Sequence, residues 1–347
     1  LVQSGFVDGV VKGDVLGCVI AEEPPGGFAE VVAEGEAGSK RFHAYRYRPG
    51  TPRTAGKAGR MGFAVPLRDV AELGPTLRFT TADGTPLRNG TVRASDYPPE
   101  PAPDGKQYVF LHLQKTAGTS VANALRSIMP QSAFASIYPT QVWLSQQEFK
   151  SLYDYEKRAF RIAFGHLYFR SLIVSQLRAP RFATFLREPM ARIKSHYWML
   201  RRTVPEPQLG GQSVRHSDII NSGQTDEFDN MQTRMIAGVT GANVPPGGLT
   251  TKEVGRALFN LANHFDFVGF SETADADFKR LCGLLKIEPT PLPRSNEGGA
   301  GDPQDEDFKR LDWNRITYNN RFDVALYDTL IKQRQKDPDG LPQLLSA

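Results

Sequence analysis

Residues 108–120 read YVFLHLQKTAGTS, and the fold turns on how that stretch is divided. Tyr108 to Leu113 is a short apolar run of strand formers, of the length and texture of a buried strand. Thr119 opens a second run, to Met129, with helical spacing and hydroxyl residues at its start, where the first N–H groups of a helix need acceptors. Between them lies a tight loop carrying Lys115, Thr116, Ala117 and Gly118, followed by Thr119 and Ser120. This order of strand, loop and helix start makes a phosphate cradle. Helix-start N–H groups carry partial positive charge, glycine lets the backbone come close, and lysine and hydroxyls add donors. The other reading of the same residues is an ordinary glycine turn with a solvated lysine. The spacing departs from the nucleoside-triphosphatase pattern GxxxxGK[ST], because Lys115 precedes Gly118 and no Gly-Lys pair separates strand from helix.

Downstream of the cradle, strand-like runs alternate with helix-period runs. FRIAFG (160–165), FATFLR (182–187) and FDFVGF (265–270) have the character of strands. MARIKSHYWMLRR (190–202), KEVGRALFNLANHF (252–265), DADFKRLCGLLK (275–286) and RFDVALYDTL (321–330) have that of helices, with Pro189 placed to open the first. Such alternation predicts an α/β fold, a parallel sheet flanked by helices. Upstream the texture differs: VVKGDVLGCVI, FAEVVAEG, KRFHAYRYR and TLRFTTADG are short runs of β-formers punctuated by Gly, Pro and Asp, and predict a small all-β sandwich. YPPEPAPDGK (97–106) holds four prolines and favours extended backbone. The expected organisation is an accessory β-domain over 1–97, a linker over 98–106 and an α/β domain over 107–347. A chain of 347 residues suits two domains.

No run of eighteen apolar residues occurs, and LVQSGFVDGVV has neither the basic segment nor the apolar core of a signal peptide. Cys18 and Cys282 are the only cysteines, and their separation suits neither a disulfide framework nor paired metal ligands. A reducing, cytoplasmic setting is therefore expected. The net charge of +4 is unevenly spread: between Lys157 and Arg215 there are twelve Lys or Arg against two acids, Glu188 and Glu206. Such a stretch suits an anionic partner, although a solvated basic face reads the same way. It lacks the aromatic platform or docking motif of a nucleic-acid binder.

In FATFLREPMARIKSHYWMLRR a strand ends at Arg187, and Glu188-Pro189 opens a helix that sets Arg192 and Ser195 three residues apart on one face. An arginine at the strand end and a serine on the helix can close on one phosphate, the arginine bidentately. Of the six histidines, at 43, 112, 166, 196, 216 and 264, His166 follows a strand and a glycine in FRIAFGHLYF. The ends of parallel strands are where ligands usually bind. Its other reading is a histidine hydrogen-bonded at a strand end. His112 lies within the first strand, and His196, next to Ser195, is expected to face away from it. No acidic residue at a strand end suits Mg²⁺, so no metal ligand is expected.

LHLQKTAGTS resembles the 5′-phosphosulfate loop, HxxKTxGT, of the heparan sulfate 2-O- and 6-O-sulfotransferases and their bacterial carbohydrate-sulfating relatives. His112, Lys115, Thr116, Gly118 and Thr119 match it. Arg187, Pro189, Arg192 and Ser195 match the family's 3′-phosphate element RxPxxRxxS. FDNMQTRMIAG (228–238) is similar to its NxQTRxL segment, and FDFVGFSETADADFKRL to its FxxVGxxE segment. The resemblance covers roughly residues 107 to 335, while the first 97 residues are weakly similar to β-sandwich modules that accompany bacterial carbohydrate-active transferases.

The resemblance implies a sulfotransferase fold with a P-loop-like sheet. It also implies transfer of a sulfuryl group from 3′-phosphoadenosine-5′-phosphosulfate (PAPS) to an acceptor hydroxyl. The 5′-phosphate would be held by Lys115, Thr116, Ala117, Gly118, Thr119 and Ser120, and the 3′-phosphate by Arg187 and Ser195. Arg192 would be a further ligand or a structural ion pair. His166 would be the base, with His112 next in line, and Lys115 would steady the leaving oxygen. No metal is required. The implied partner is a carbohydrate or other hydroxyl-bearing acceptor, anionic or polymeric, with no nucleic acid and no membrane span. A nucleotide-dependent kinase and a catalytically silent anion- or glycan-binding module are the competing functions.

Overall fold

A computed structural model describes residues 4–20, 27–48, 60–97, 106–138, 143–209, 212–294 and 302–336. The chain divides into two compact units. The first is Leu1–Tyr108, Met129–Gly165 and Leu172–Pro180; the second is Val109–Ile128, His166–Ser171 and Arg181–Ala347. Apart from Lys106, the expected linker lies outside the described residues.

The first unit begins with eight strands: β1 (Ser4–Val11), β2 (Asp14–Ile20), β3 (Ala29–Gly35), β4 (Gly38–Ala44), β5 (Arg46–Tyr47), β6 (Arg60–Pro66), β7 (Thr76–Thr81) and β8 (Pro86–Arg93). They form a single sheet in the order β4-β3-β7-β8-β1-β2-β6-β5. Its ladders are antiparallel except for a parallel contact of β1 with β8 at Phe6 and Arg88. Alternation of side chains decides what is buried. Val15, Phe63 and Val65 from one flank of the sheet meet Val31, Phe42 and Phe79 from the other in one apolar cluster. The sandwich expected from the sequence is thus one strand-rich antiparallel sheet whose two flanks share a core.

Polar contacts then tie this sheet to residues 129–165 of the same unit. Asp14, fully buried, accepts from the Ser132 amide at 2.7 Å and its hydroxyl at 2.6 Å. Glu156 accepts from the His43 amide at 2.8 Å and meets its Nδ1 at 2.6 Å. Arg60 donates to Glu148 at 2.6 Å, which holds that carboxyl down at about 2.

The α/β part has strands β9 (Gln107–Leu111), β10 (Phe134–Ile137), β11 (Ile162–Gly165), β12 (Pro180–Leu186), a short hairpin of β13 (Gln208–Leu209) with β14 (Gln212–Ser213), and β15 (Phe265–Phe270). Five of them order as β10-β11-β9-β12-β15. β10 with β11 and β12 with β15 are parallel, in agreement with the alternating sequence pattern. The helices are α1 (Gly118–Ile128), α2 (Gln146–Ser151), α3 (Asp154–Ala159), α4 (Pro189–Thr203), α5 (His216–Ser222), α6 (Met231–Ala237), α7 (Thr251–His264), α8 (Ala274–Leu285), α9 (Trp313–Asn319) and α10 (Arg321–Lys336). Their starts are written in the sequence. Glu188 caps α4, whose first residue is Pro189, and Thr250 with Glu253 closes a capping box on α7. Among the described residues no helix is long and apolar enough to cross a membrane, and Cys18 and Cys282 are both buried free thiols.

Candidate functional site

Every residue singled out as a phosphate or proton-transfer group falls in the second unit. The cradle loop joins β9 to α1 and contains two left-handed residues, Lys115 at φ 68° and Ala117 at φ 66°. Side chains disfavour that region, so the flanking structure holds them there. Left-handed residues on either side of Thr116 coil the backbone so that neighbouring N–H groups converge, the geometry of an anion nest. Thr116 itself is fully buried and donates its hydroxyl to the Leu113 carbonyl at 2.8 Å. The hydroxyl expected to face an anion therefore closes the loop instead, and only the amide of Thr116 is left to serve a ligand. Gly118 is required by a neighbour: a Cβ there would stand 2.0 Å from Cδ2 and 2.3 Å from Nε2 of the His112 ring. Thr119 is exposed, Ala117 and Ser120 are half-buried, and no acidic side chain occupies the first turn of α1.

Arg187 follows β12 and is fixed by its backbone. Its N–H donates to Gln232 Oε1 at 3.0 Å, and its carbonyl accepts from Gln232 Nε2 at 2.9 Å. Gln232 is in turn placed at the start of α6, where the Asp323 carboxylate accepts from the amides of Gln232 at 3.1 Å and Thr233 at 2.7 Å. Asn230 completes the frame by accepting from the amides of Phe322 at 2.8 Å and Asp323 at 3.1 Å. Glu272 accepts from the Glu188 amide at 2.9 Å. The segments that the sequence marked only by resemblance, NMQTR and VGFSE, thus hold the strand end that carries Arg187. With its backbone fixed, Arg187 reaches the cradle and donates to the Lys115 carbonyl at 3.2 Å, joining two motifs 72 residues apart.

Ser195 sits half-buried on α4. Arg192 has no exposure and donates to the Glu227 carbonyl at 2.8 Å and to Met231 Sδ at 3.4 Å. Its partners are thus a thioether and a backbone carbonyl, and among the described residues no carboxylate pairs with it.

The basic run resolves into two kinds of residue. Arg181 pairs with Asp266 at 2.6 Å, Arg201 with Asp305 at 2.9 Å, and Lys157 with Asp154 at 3.4 Å, while Arg192 is internal. At Lys115, Arg187 and Arg202 no such ion pair is present among the described residues. Burial, then Arg202 and Arg187, push the Lys115 ammonium below the usual lysine range. Lys115 thus lies in the positive field of two arginines, an arrangement an anion relieves. Arg202, in the last turn of α4, was missed by sequence reasoning because nothing separates it from its basic neighbours in the run.

His166 comes directly after Gly165, where a Cβ would lie 1.9 Å from the Ile137 carbonyl oxygen, so the tight β10–β11 pairing itself demands the glycine. The rings of His166 and His112 are 4.8 Å apart between centroids. Burial lowers His166 to about 4. His112 is lowered well below the ordinary histidine range by burial, helped by His166, Arg126 and Lys115. His196 is buried against Phe228, and burial, then Arg192 and Lys115, lower it to about 3. All three imidazoles are neutral at neutral pH, and a neutral imidazole can accept a proton. His43 is committed to Glu156, and His264 packs on Phe169 at 5.1 Å. The second unit thus brings the Arg187 guanidinium to the Lys115 carbonyl and packs the His112 ring on Gly118, with the His166 ring 4.8 Å from that of His112.

No protein-family model matches the chain, and no curated protein matches it. Among solved structures the chain is similar to mouse sulfotransferase SULT7A1 complexed with PAP, at 14% identity, over 64% of this chain and 83% of that chain, with a TM-score of 0.34.

Proposed function

We propose that this chain is a sulfotransferase that moves a sulfuryl group from PAPS to an acceptor hydroxyl. The observation that carries the reading is the Arg187 guanidinium bonded to the Lys115 carbonyl of a loop with left-handed residues at Lys115 and Ala117, with the His112 ring packed on Gly118 and the His166 ring 4.8 Å from it. In the proposed mechanism the loop amides from Lys115 to Ser120, with the Thr119 and Ser120 hydroxyls, hold the 5′-phosphate. Arg187 and Ser195 hold the 3′-phosphate. His166 takes the proton of the acceptor hydroxyl as its oxygen bonds to sulfur. The bond from sulfur to the 5′-phosphate oxygen breaks, and the Lys115 ammonium steadies the electron pair left on that oxygen. Positioning and charge stabilisation carry such a displacement.

The functional division follows the motifs: residues 107–347 form the transferase part, and residues 1–97, which contain no motif residue, an accessory part. A carbohydrate hydroxyl, anionic or polymeric, is the proposed acceptor, and the cytoplasm the proposed setting.

Two measurements test this reading. 3′-Phosphoadenosine 5′-phosphate at one hundred times its dissociation constant should stabilise the fold by about 2.7 kcal/mol, while ATP and AMP protect far less. Equal protection by ATP would move the reading to a kinase. His166→Ala should leave affinity for the bisphosphate nearly unchanged and lower turnover by roughly a hundred- to ten-thousand-fold. Near wild-type turnover in a folded variant removes His166 as the base and makes His112 the next residue to replace. Because His166 is lowered to about 4, the acid limb of kcat/KM belongs near pH 4, below the free-imidazole value of about 6.5.

A further inference from the structure

Within the second unit, away from the residues of the cradle, a histidine and two carboxylates converge where neither hydrogen bonding nor ion pairing accounts for the histidine. His216, the first residue of α5, is only 2% exposed, and neither of its ring nitrogens has a hydrogen-bond partner among the described residues. A buried imidazole with no partner forfeits the hydrogen bonds it made to water, so native structures give such a group a partner. One ring nitrogen of His216 and one carboxylate oxygen each from Glu206 and Asp307 all lie within 4.8 Å of one another. Two ligands on one tetrahedral zinc ion, each about 2.0–2.2 Å from it, stand about 3.3–3.6 Å apart, so side-chain rotations that draw the atoms together by up to roughly 1.5 Å would close the set.

The carboxylates are already oriented by outer contacts. Asp307 accepts from the Ser217 amide at 3.3 Å and from its hydroxyl, and Glu206 accepts from the Ser213 hydroxyl at 2.6 Å. Such outer hydrogen bonds are what metal-binding carboxylates carry. Arg201 stands 3.6 Å from Glu206 but makes its shorter contact, 2.9 Å, with Asp305.

We propose that Glu206, His216 and Asp307 bind one Zn²⁺ ion, with water completing the coordination. One imidazole nitrogen with two carboxylate oxygens suits zinc, whereas Ca²⁺ and Mg²⁺ prefer shells of oxygen alone. The ion would join the chain just after α4, the first residue of α5 and the segment that leads into Phe308–Arg310. Its role is to tie the structure, separate from the sulfuryl-transfer chemistry proposed above.

The test is calorimetric titration of the full chain with Zn²⁺ after treatment with EDTA, alongside a melting curve. Equimolar binding and a higher melting temperature are expected in the wild type, and His216→Gln should weaken binding by more than about tenfold. Should His216→Gln fail the circular-dichroism check for folding, Glu206→Gln takes its place under the same threshold. Absence of equimolar binding in the wild type, or a folded variant that binds within about tenfold of it, overturns the site. Affinity for 3′-phosphoadenosine 5′-phosphate, measured in the same samples, reports on the cradle independently of this outcome.

Discussion

The interior of the N-terminal sheet and the interior around α6 are filled on opposite principles. In the sheet, Val15, Val31, Phe42, Phe63, Val65, Leu77 and Phe79 meet in a cluster held by apolar burial, which has no direction. Around α6, Arg192, Arg234, Asp229, Asn230, Gln232 and Asp323 are all at most 2% exposed, and each side chain bonds a named backbone or side-chain group. An apolar interior specifies volume and an ionic one specifies position. The second kind lies beneath Arg187, whose backbone must stay in place for its guanidinium to reach the cradle.

The largest expected effect that would break this contrast is at Arg234. It pairs with buried Asp229 and donates to the Val244 carbonyl at 2.6 Å and the Pro245 carbonyl at 3.0 Å. Arg234→Met should cost about 3–5 kcal/mol, because it strands a buried carboxylate and two carbonyls. Urea unfolding showing a loss below about 1 kcal/mol would mean that the ionic interior is dispensable.

Acid should reveal the next difference. An unfolded histidine binds a proton near pH 6.5, whereas His166 does so only near 4 and His196 near 3. Between those values the unfolded chain holds more protons, so stability is full above pH 6.5 and is lost as pH falls toward 4. Each of the two contributes about 2 kcal/mol of loss by pH 5. His196→Leu should flatten that slope by about one proton's worth, and an unchanged slope would contradict the buried neutral state.

A smaller effect is expected at Gln232. Gln232→Leu keeps the bulk but leaves both backbone groups of Arg187 without their partner, at about 1–3 kcal/mol of stability. It should also weaken binding of 3′-phosphoadenosine 5′-phosphate. Stability lost with affinity intact would detach Gln232 from the positioning of Arg187. The smallest effect belongs to the sheet: Leu77→Met, at a fully buried position, should cost less than about 1.5 kcal/mol. A larger loss would show the apolar interior to be as exacting as the ionic one.

What the sequence disclosed followed the range of its signals. Strand, glycine loop and helix start are adjacent in the chain, so the order of β9, loop and α1 and the start of α4 at Pro189 could be read directly. Thr116 could not, because a hydroxyl turned to Leu113 and one turned to a ligand have the same spelling. Contacts across long stretches of chain leave no local pattern. Gln232 meets Arg187 from 45 residues away, Asp14 meets Ser132 from 118, and Asp307 lies beyond any motif spacing from His216. Arg202 was hidden differently, as one cation among twelve until its neighbours were paired off.

Lys115 and Ala117 stand at φ 68° and 66°, and left-handed residues cost about 1–2 kcal/mol each, met when the chain folds. In kinetic terms the loop is a dock and not a lid. For the proposed bisphosphate the expected consequence is an association rate set by charge steering, one that falls as ionic strength rises. Discrimination among anions is then expressed in how slowly each one leaves.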